Sequence, residues 1–203
     1  MQTEKTDHFR EKADEWDISS HIVQNAKSIS DTIVANISLT KEMRVMDFGA
    51  GTGLLCSFVS AHVGEVIAVD NSPAMLEKFR AKCDTIKCKS SIIQKDLSIE
   101  TIDDKFDGII SSMTIHHLED TPALFSKFYN MLDDGGFIAI ADLDTEDGSF
   151  HSDNTGVFHF GFDREVLRNI AMEVGFRDIK FEKASTISKP HHEFTIFLMM
   201  GWK

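Results

Sequence analysis

Residues 45–53, Val-Met-Asp-Phe-Gly-Ala-Gly-Thr-Gly, constrain the fold more than any other stretch, because a strand pattern breaks there into alternating glycines. Val45, Met46 and Phe48 suit a buried strand, and Asp47 lies at its end. Gly49, Gly51 and Gly53 allow a sharp turn and let a ligand approach the backbone with no side chain between. An apolar helical stretch follows from Leu54. Seventeen residues past Gly53, a second apolar run, Val-Ile-Ala-Val at 66–69, ends in Asp70. A glycine loop followed by an acid at the end of the next strand is how doubly wound sheets hold a nucleoside. The loop lies near the charged part and the acid meets the ribose hydroxyls. The stretch therefore reads as a nucleoside-cofactor site.

Spacing narrows the choice of nucleoside. A dinucleotide fingerprint, Gly-x-Gly-x-x-Gly, would need a glycine where Leu54 stands, and a phosphate-binding P-loop needs a Gly-Lys-Ser/Thr triplet that does not occur. The pattern present, Asp-x-Gly-x-Gly-x-Gly, resembles motif I of the class I S-adenosylmethionine-dependent methyltransferases, whose cofactor carries no phosphates. Further landmarks of that family follow in order. Asp70 resembles the ribose-binding acid, and Gln94-Lys95-Asp96-Leu97 the segment whose acid meets the adenine amino group. Residues 106–112 resemble the fourth strand, and Gly135-Gly136 the turn before the fifth. The resemblance runs over roughly residues 8–202 and is closest to the ubiquinone/menaquinone-biosynthesis, small-molecule group.

That resemblance implies an α/β fold: a Rossmann-like seven-stranded sheet, order 3-2-1-4-5-7-6, last strand antiparallel, helices on both faces. It implies S-adenosyl-L-methionine as cofactor and S-adenosyl-L-homocysteine as product. It also implies roles. Gly49, Ala50, Gly51, Thr52 and Gly53 form the methionine-side loop, with Asp47 near the amino-acid moiety. Asp70, followed by Asn71, accepts from both ribose hydroxyls, Met75 meets the adenine face, and Asp96 with the backbone of Leu97 meets its amino group. Ser112, at the end of the fourth strand, is a further candidate cofactor-binding residue. Each acid also has a plainer reading as a helix cap or turn former.

Composition fits one soluble domain, residues 1–203, long enough for a well-buried core. Lys+Arg 21 against Asp+Glu 33 gives a net charge of −12, which disfavours a nucleic-acid partner. Residues 1–17 lack an apolar signal core, and the longest apolar stretch, 194–202, is too short to span a bilayer, so no membrane partner is expected. Three cysteines, Cys56, Cys83 and Cys88, read as reduced thiols of a cytoplasmic chain. Oligomeric state is open.

The first forty residues read as a helical N-terminal cap. His8-Phe9-Arg10 and Ala13-x-x-Trp16-Asp17 resemble the segment that folds over the cofactor pocket in the quinone-biosynthesis group, and Ile22, Ile29, Ile33 and Ile37 recur at helical spacing. Strands are expected at 43–48, 65–70, 90–94, 106–112, 136–142, 176–184 and 193–201, with a first helix at 53–62. Ser72-Pro73 and Thr121-Pro122 read as cap-and-proline helix starts, and Asp163 and Gly175 as the two ends of a further helix. Residues 143–162 form a long polar connection holding Phe150, Phe158, Phe160 and Phe162, at the edge where open α/β sheets bind ligands. They read as a lid-like insertion and acceptor-pocket wall, or else as a surface loop that shields the sheet.

A sulfonium methyl is already electrophilic, so the protein's task is orientation and exclusion of water. The Asn/Asp-Pro-Pro-aromatic motif for exocyclic amines is absent; Ser111-Ser112-Met113-Thr114-Ile115-His116-His117-Leu118 stands in its place and resembles small-molecule methyltransferases of the quinone kind. His117, His151 and Asp142 are candidate catalytic groups, and Trp16, His116, Phe158 and His159 candidate walls of a substrate pocket. No metal is expected, because His116-His117 and His191-His192 are adjacent pairs that point opposite ways on a strand, and no His-x-x-x-His or Cys-x-x-Cys occurs. The leading expectation is methyl transfer to a small-molecule acceptor. The alternatives are a protein methyltransferase and a non-catalytic module that binds the cofactor or its product. A nicotinamide-dependent short-chain reductase fails, since Tyr129 lacks a lysine four places on.

Overall fold

The strands are β1 (Arg44–Phe48), β2 (Glu65–Asp70), β3 (Lys89–Gln94), β4 (Phe106–Ser112), β5 (Leu132–Leu143), β6 (Arg177–Lys189) and β7 (His192–Trp202), apolar runs at the centre of the sheet and more polar ones in β3 and β6 at its edges. Helix α1 (Ser20–Asn36) precedes β1, and α2 (Leu54–Val59), α3 (Pro73–Lys82), α4 (Thr121–Met131) and α5 (Arg164–Val174) lie between strands. The computed structural model describes residues 10, 13, 16–190 and 192–203. Its sheet has the order β3-β2-β1-β4-β5-β7-β6, with β1 to β5 parallel and β7 antiparallel to both neighbours, as the resemblance implied.

Both faces of this sheet are covered, so its central strands are largely apolar rather than alternating with polar residues. The pleat sends Val45, Val66, Ala68, Ile110, Ala139 and Leu198 to one core with Ile29 and Ile33 of α1. It sends Met46, Ile67, Val69, Ile109, Ile138 and Phe197 to the other, with Phe125 and Phe128 of α4. Ile37 is buried with Ile29 and Ile33, whereas Ile22 is half-buried. His8, Phe9 and much of the expected N-terminal cap lie outside the described residues, as does His191. Among the described residues no helix is long and apolar enough to cross a membrane.

Several boundaries differ from expectation for local reasons. The first helix after β1 runs over Leu54–Val59, because Gly53 sits at φ +84°, outside helical space. Ser72 caps α3 as expected, its Oγ accepting from the Met75 N–H, but α4 is capped by Asp120, whose carboxylate accepts from the Ala123 N–H, so Thr121 and Pro122 lie inside the first turn. β5 starts at Leu132 rather than 136, since residues 133–136 bulge out between the Phe106–Leu132 and Gly108–Phe137 pairings. β6 and β7 extend to Lys189 and from His192, leaving a tight connection at Pro190.

Candidate cofactor and acceptor site

The carboxyl ends of β1, β2, β4 and β5 converge on one edge, and the chain reverses its strand order between β1 and β4, the position where open α/β sheets form a crevice. The glycine loop leaves β1 there. Gly49 and Ala50 donate to the Val69 carbonyl (2.8 and 3.1 Å), tying the loop to β2. All three loop glycines have positive φ, +67°, +55° and +84°. A Cβ on Gly49 would lie 2.2 Å from Thr114, and one on Gly53 2.2 Å from Phe79. At Gly51 the nearest atom would be the Met75 sulfur at 4.0 Å. Gly49 and Gly53 are thus demanded by packing, while Gly51 opens onto space bordered by Met75.

Asp70 faces that space. Its two oxygens accept from the N–H groups of Gly51 and Ser72, both at 2.8 Å, so the acid holds the loop and the start of α3 together. A carboxylate has about four acceptor positions, which leaves capacity for hydroxyls. Asn71 is exposed beside it, and Met75 is buried. Asp96 is half-buried, and its Oδ1 accepts from the N–H and hydroxyl of Ser98, so its turn-forming reading is realised. Leu97 is buried with its carbonyl accepting from Lys127, and the Ser112 carbonyl accepts from Thr114.

Asp47 is buried against Cys56 of α2. Burial pushes its carboxyl up to about 7; hydrogen bonds to Cys56 act the other way, and the charge of Asp70 adds to the rise. Its Oδ2 has no hydrogen-bond partner among the described residues. A buried acceptor at the foot of a glycine loop suits a cationic group such as an α-ammonium. Burial also pushes the Cys56 thiol up, which makes it a poor nucleophile.

Asp17, named in the cap segment but not among the expected site residues, clamps the loop. It accepts from the Thr52 hydroxyl at 2.6 Å and pairs with Lys82 at 2.5 Å. Trp16, half-buried, sits beside it in the turn preceding α1. An acid directly after Trp16 was the signal available.

On the acceptor side, His116 and His117 lie on a one-turn 3-10 helix (Ile115–His117), not on a strand, so the expectation that they point opposite ways is overturned. Their ring centroids are 4.1 Å apart. His151, from the loop after β5, joins them at 5.0 Å from His116 and 5.9 Å from His117. His116 Nδ1 lies 2.7 Å from Asp142 Oδ1, with both residues fully buried. The Asp142 carboxylate also accepts from the backbone N–H groups of His116 and Leu143 and so reaches the site through His116. His117 Nδ1 donates to the Gly156 carbonyl at 2.8 Å.

The 143–162 connection is pinned rather than free. Asp144 pairs with Phe162 in a bridge and with Arg164 through two bonds, and the N–H groups of Phe158 and His159 donate to the His116 carbonyl. His159 Nε2 lies 2.9 Å from the Leu118 carbonyl, and Phe158 is 55% exposed. Phe150 packs on Phe194.

This arrangement defines an α/β protein with an open glycine loop at the turning point of its sheet. Residues 45–136 match the methyltransferase domain family model. Over 175 residues the chain is 26% identical to an uncharacterized methyltransferase of Schizosaccharomyces pombe, covering 78% of this chain and 60% of that protein. It is 28% identical over 129 residues to the ubiquinone biosynthesis O-methyltransferase of Rhodopseudomonas palustris, covering 63% and 47%. The chain thus spans about half to three-fifths of the length of these relatives. Among solved structures, a chain from the complex of the Haloferax volcanii Trm112 methyltransferase activator with a methyltransferase superposes with a TM-score of 0.78 at 16% identity, over 98% of each chain. Residues 45–136 are thus similar to a methyltransferase domain, and the chain shares its fold with that solved methyltransferase structure.

Proposed function

We propose that this protein transfers a methyl group from S-adenosyl-L-methionine to a small-molecule acceptor. The observation that carries the reading is the Asp70–Gly51 bond beneath an open glycine loop, set at the carboxyl edge of β1 and β2. The residues present fit the cofactor: Asp47 offers a buried acceptor for the ammonium, Asp70 for ribose hydroxyls, and Met75 an apolar face beside Gly51. Asp96 and Leu97 border the adenine end in the same reading. When bound, the cofactor supplies an electrophilic methyl on a sulfonium sulfur.

The chain's own residues then orient the acceptor and exclude water, which is worth about 7–11 kcal/mol in well-arranged cases. His116, His117 and His151 form the polar wall on the acceptor side, with Trp16, Phe158 and His159 as outer candidates. The small-molecule assignment is supported by relatives named for such acceptors, among them phosphoethanolamine N-methyltransferase 3 of Arabidopsis thaliana, 32% identical over 108 residues that cover 52% of this chain and 22% of that protein. The net charge of −12 argues against a phosphate backbone as partner. A cytoplasmic location belongs to the same proposal, supported by three free cysteines.

Calorimetric titration with S-adenosylmethionine and S-adenosylhomocysteine, with a nicotinamide dinucleotide as control, tests the reading. Micromolar binding of the sulfur nucleosides alone is expected. No binding by folded protein free of carried-over ligand would overturn it.

A further inference from the structure

Three imidazoles meet at the end of β4 in an arrangement that methyl transfer by itself does not require. One ring nitrogen from each of His116, His117 and His151 lies within 4.8 Å of the other two. His116 is 1% exposed, and its Nε2 is buried with no hydrogen-bond partner among the described residues. Its Nδ1 faces a carboxylate oxygen that already accepts from the Leu143 N–H, so Nδ1 carries the proton and the lone pair of the neutral ring sits on Nε2. The His117 ring is set in the same way. A carbonyl only accepts, so Nδ1 donates to Gly156 and the lone pair belongs to Nε2. A buried ring nitrogen that keeps its lone pair and finds no donor is rare in folded proteins.

We infer that His116, His117 and His151 bind one divalent transition-metal ion, with the Asp142 carboxylate and the Gly156 carbonyl as the outer partners that orient two of the rings. Metal-binding histidines are commonly held this way, the second ring N–H going to a carboxylate or a backbone carbonyl. Three neutral imidazoles select the Zn2+, Co2+, Ni2+ and Cu2+ group over Mg2+ or Ca2+, which need hard oxygen ligands. In a tetrahedral zinc site with Zn–N of about 2.1 Å, ligand nitrogens stand about 3.4 Å apart. The rings must therefore draw together from their present spacing, with His151 supplied by the loop after β5 rather than by a strand. Three protein ligands leave a fourth position for an outside ligand. Thr114, two residues before His116, touches the Gly49 carbonyl, so the cluster stands one short turn from the glycine loop. Resting on the proposed function, that outside ligand is an oxygen atom of the methyl acceptor. The metal site itself stands on the side-chain geometry alone.

The test is a Co2+ titration of untagged, chelator-treated protein, followed by visible absorption. Saturation at one equivalent, with d–d bands and no thiolate charge-transfer band, is expected; the last feature separates this site from Cys83 and Cys88. His151→Ala, in a half-exposed loop position that tolerates truncation, should weaken Co2+ binding by at least about 100-fold, and Asp142→Asn by about 10–100-fold. Acetohydroxamate, an oxygen-donor probe, should shift the bands if the fourth position is open. Absence of saturable binding, a thiolate band, or unchanged affinity in His151→Ala would overturn the metal site, and an unshifted spectrum would overturn the open position. Far-UV circular dichroism and thermal melts report folding of each variant, and S-adenosylhomocysteine affinity is measured in parallel. Its loss in wild-type protein with Co2+ binding intact would sink the methyl-transfer reading while leaving the metal site standing.

Discussion

Asp70, the last residue of β2, accepts the N–H of Gly51 at 2.8 Å and so fastens the glycine loop of one strand to the end of its neighbour. The same carboxylate accepts from the Ser72 N–H, at the cap of α3. Asp70→Ala would leave both donors without their acceptor, at about 1–3 kcal/mol for each that stays buried. The variant should fold with a melting temperature lowered by several degrees and bind S-adenosylhomocysteine at least about 100-fold more weakly. Retained affinity in calorimetry would remove the assigned site.

The three loop glycines should respond differently to alanine. Gly49→Ala and Gly53→Ala drive a Cβ to 2.2 Å from Thr114 and Phe79, so they should cost several kcal/mol and show first in thermal melts. Gly51→Ala meets only open space and the strain of φ +55°. It should cost about 1 kcal/mol of stability, while a bulkier Gly51→Val abolishes cofactor binding in a protein that still folds. Equal destabilisation by all three alanines would count against an open face at Gly51.

Asp47 predicts an unusual pH dependence. Its carboxyl is raised to about 7 in the folded protein, so the fold is favoured by its protonated form. That contribution is complete below the ordinary carboxylate range and is lost as pH rises towards and through about 7. Asp47→Asn should therefore stabilise the unliganded protein at pH 8, by on the order of 2–4 kcal/mol, and by less than half as much at pH 5. It should also weaken binding of the cationic cofactor. Melting curves of both proteins from pH 5 to 8 check the sign, and a gap that widens towards acid would refute it.

Thr52→Val removes the hydroxyl that Asp17 accepts while keeping the side-chain volume. Asp17 retains Lys82, so the fold should lose only about 0.5–1.5 kcal/mol. Faster amide exchange around residues 16–20, together with weaker cofactor binding, would show that the clamp couples the N-terminal turn to the loop. Unchanged exchange would reduce it to a surface contact.

His117→Ala should lower turnover with any accepted substrate by about 10²-fold or more while leaving S-adenosylhomocysteine affinity within about twofold. Single-turnover kinetics separate the two effects. Unaltered turnover would remove His117 from the catalytic candidates.

Much of the architecture is legible in the sequence. The glycine loop, Asp70 and the strand sequence around them are written in short segments, where the φ freedom of glycine and the prevailing apolarity of two-sided strands act locally. Strand order followed from a resemblance carried by those same segments. What local rules decided less well was where segments stop: β5 absorbs the 133–136 turn as a bulge because β4 offers it a partner, which no window of sequence displays.

The side-chain constellations belong to the tertiary structure. His116 and His151 are brought together because Ile115–His117 coils into a 3-10 turn and because the N–H groups of Phe158 and His159 anchor the distant loop on the His116 carbonyl. Asp17 meets Thr52, and Asp47 is sealed beneath α2, by packing between elements far apart in the chain. Sequence determined the loop and the acid that can hold a nucleoside, since backbone conformation and strand burial are local properties. Only the folded chain decided which histidines share a site and which carboxylate loses its water, because those depend on contacts between segments that sequence spacing leaves independent.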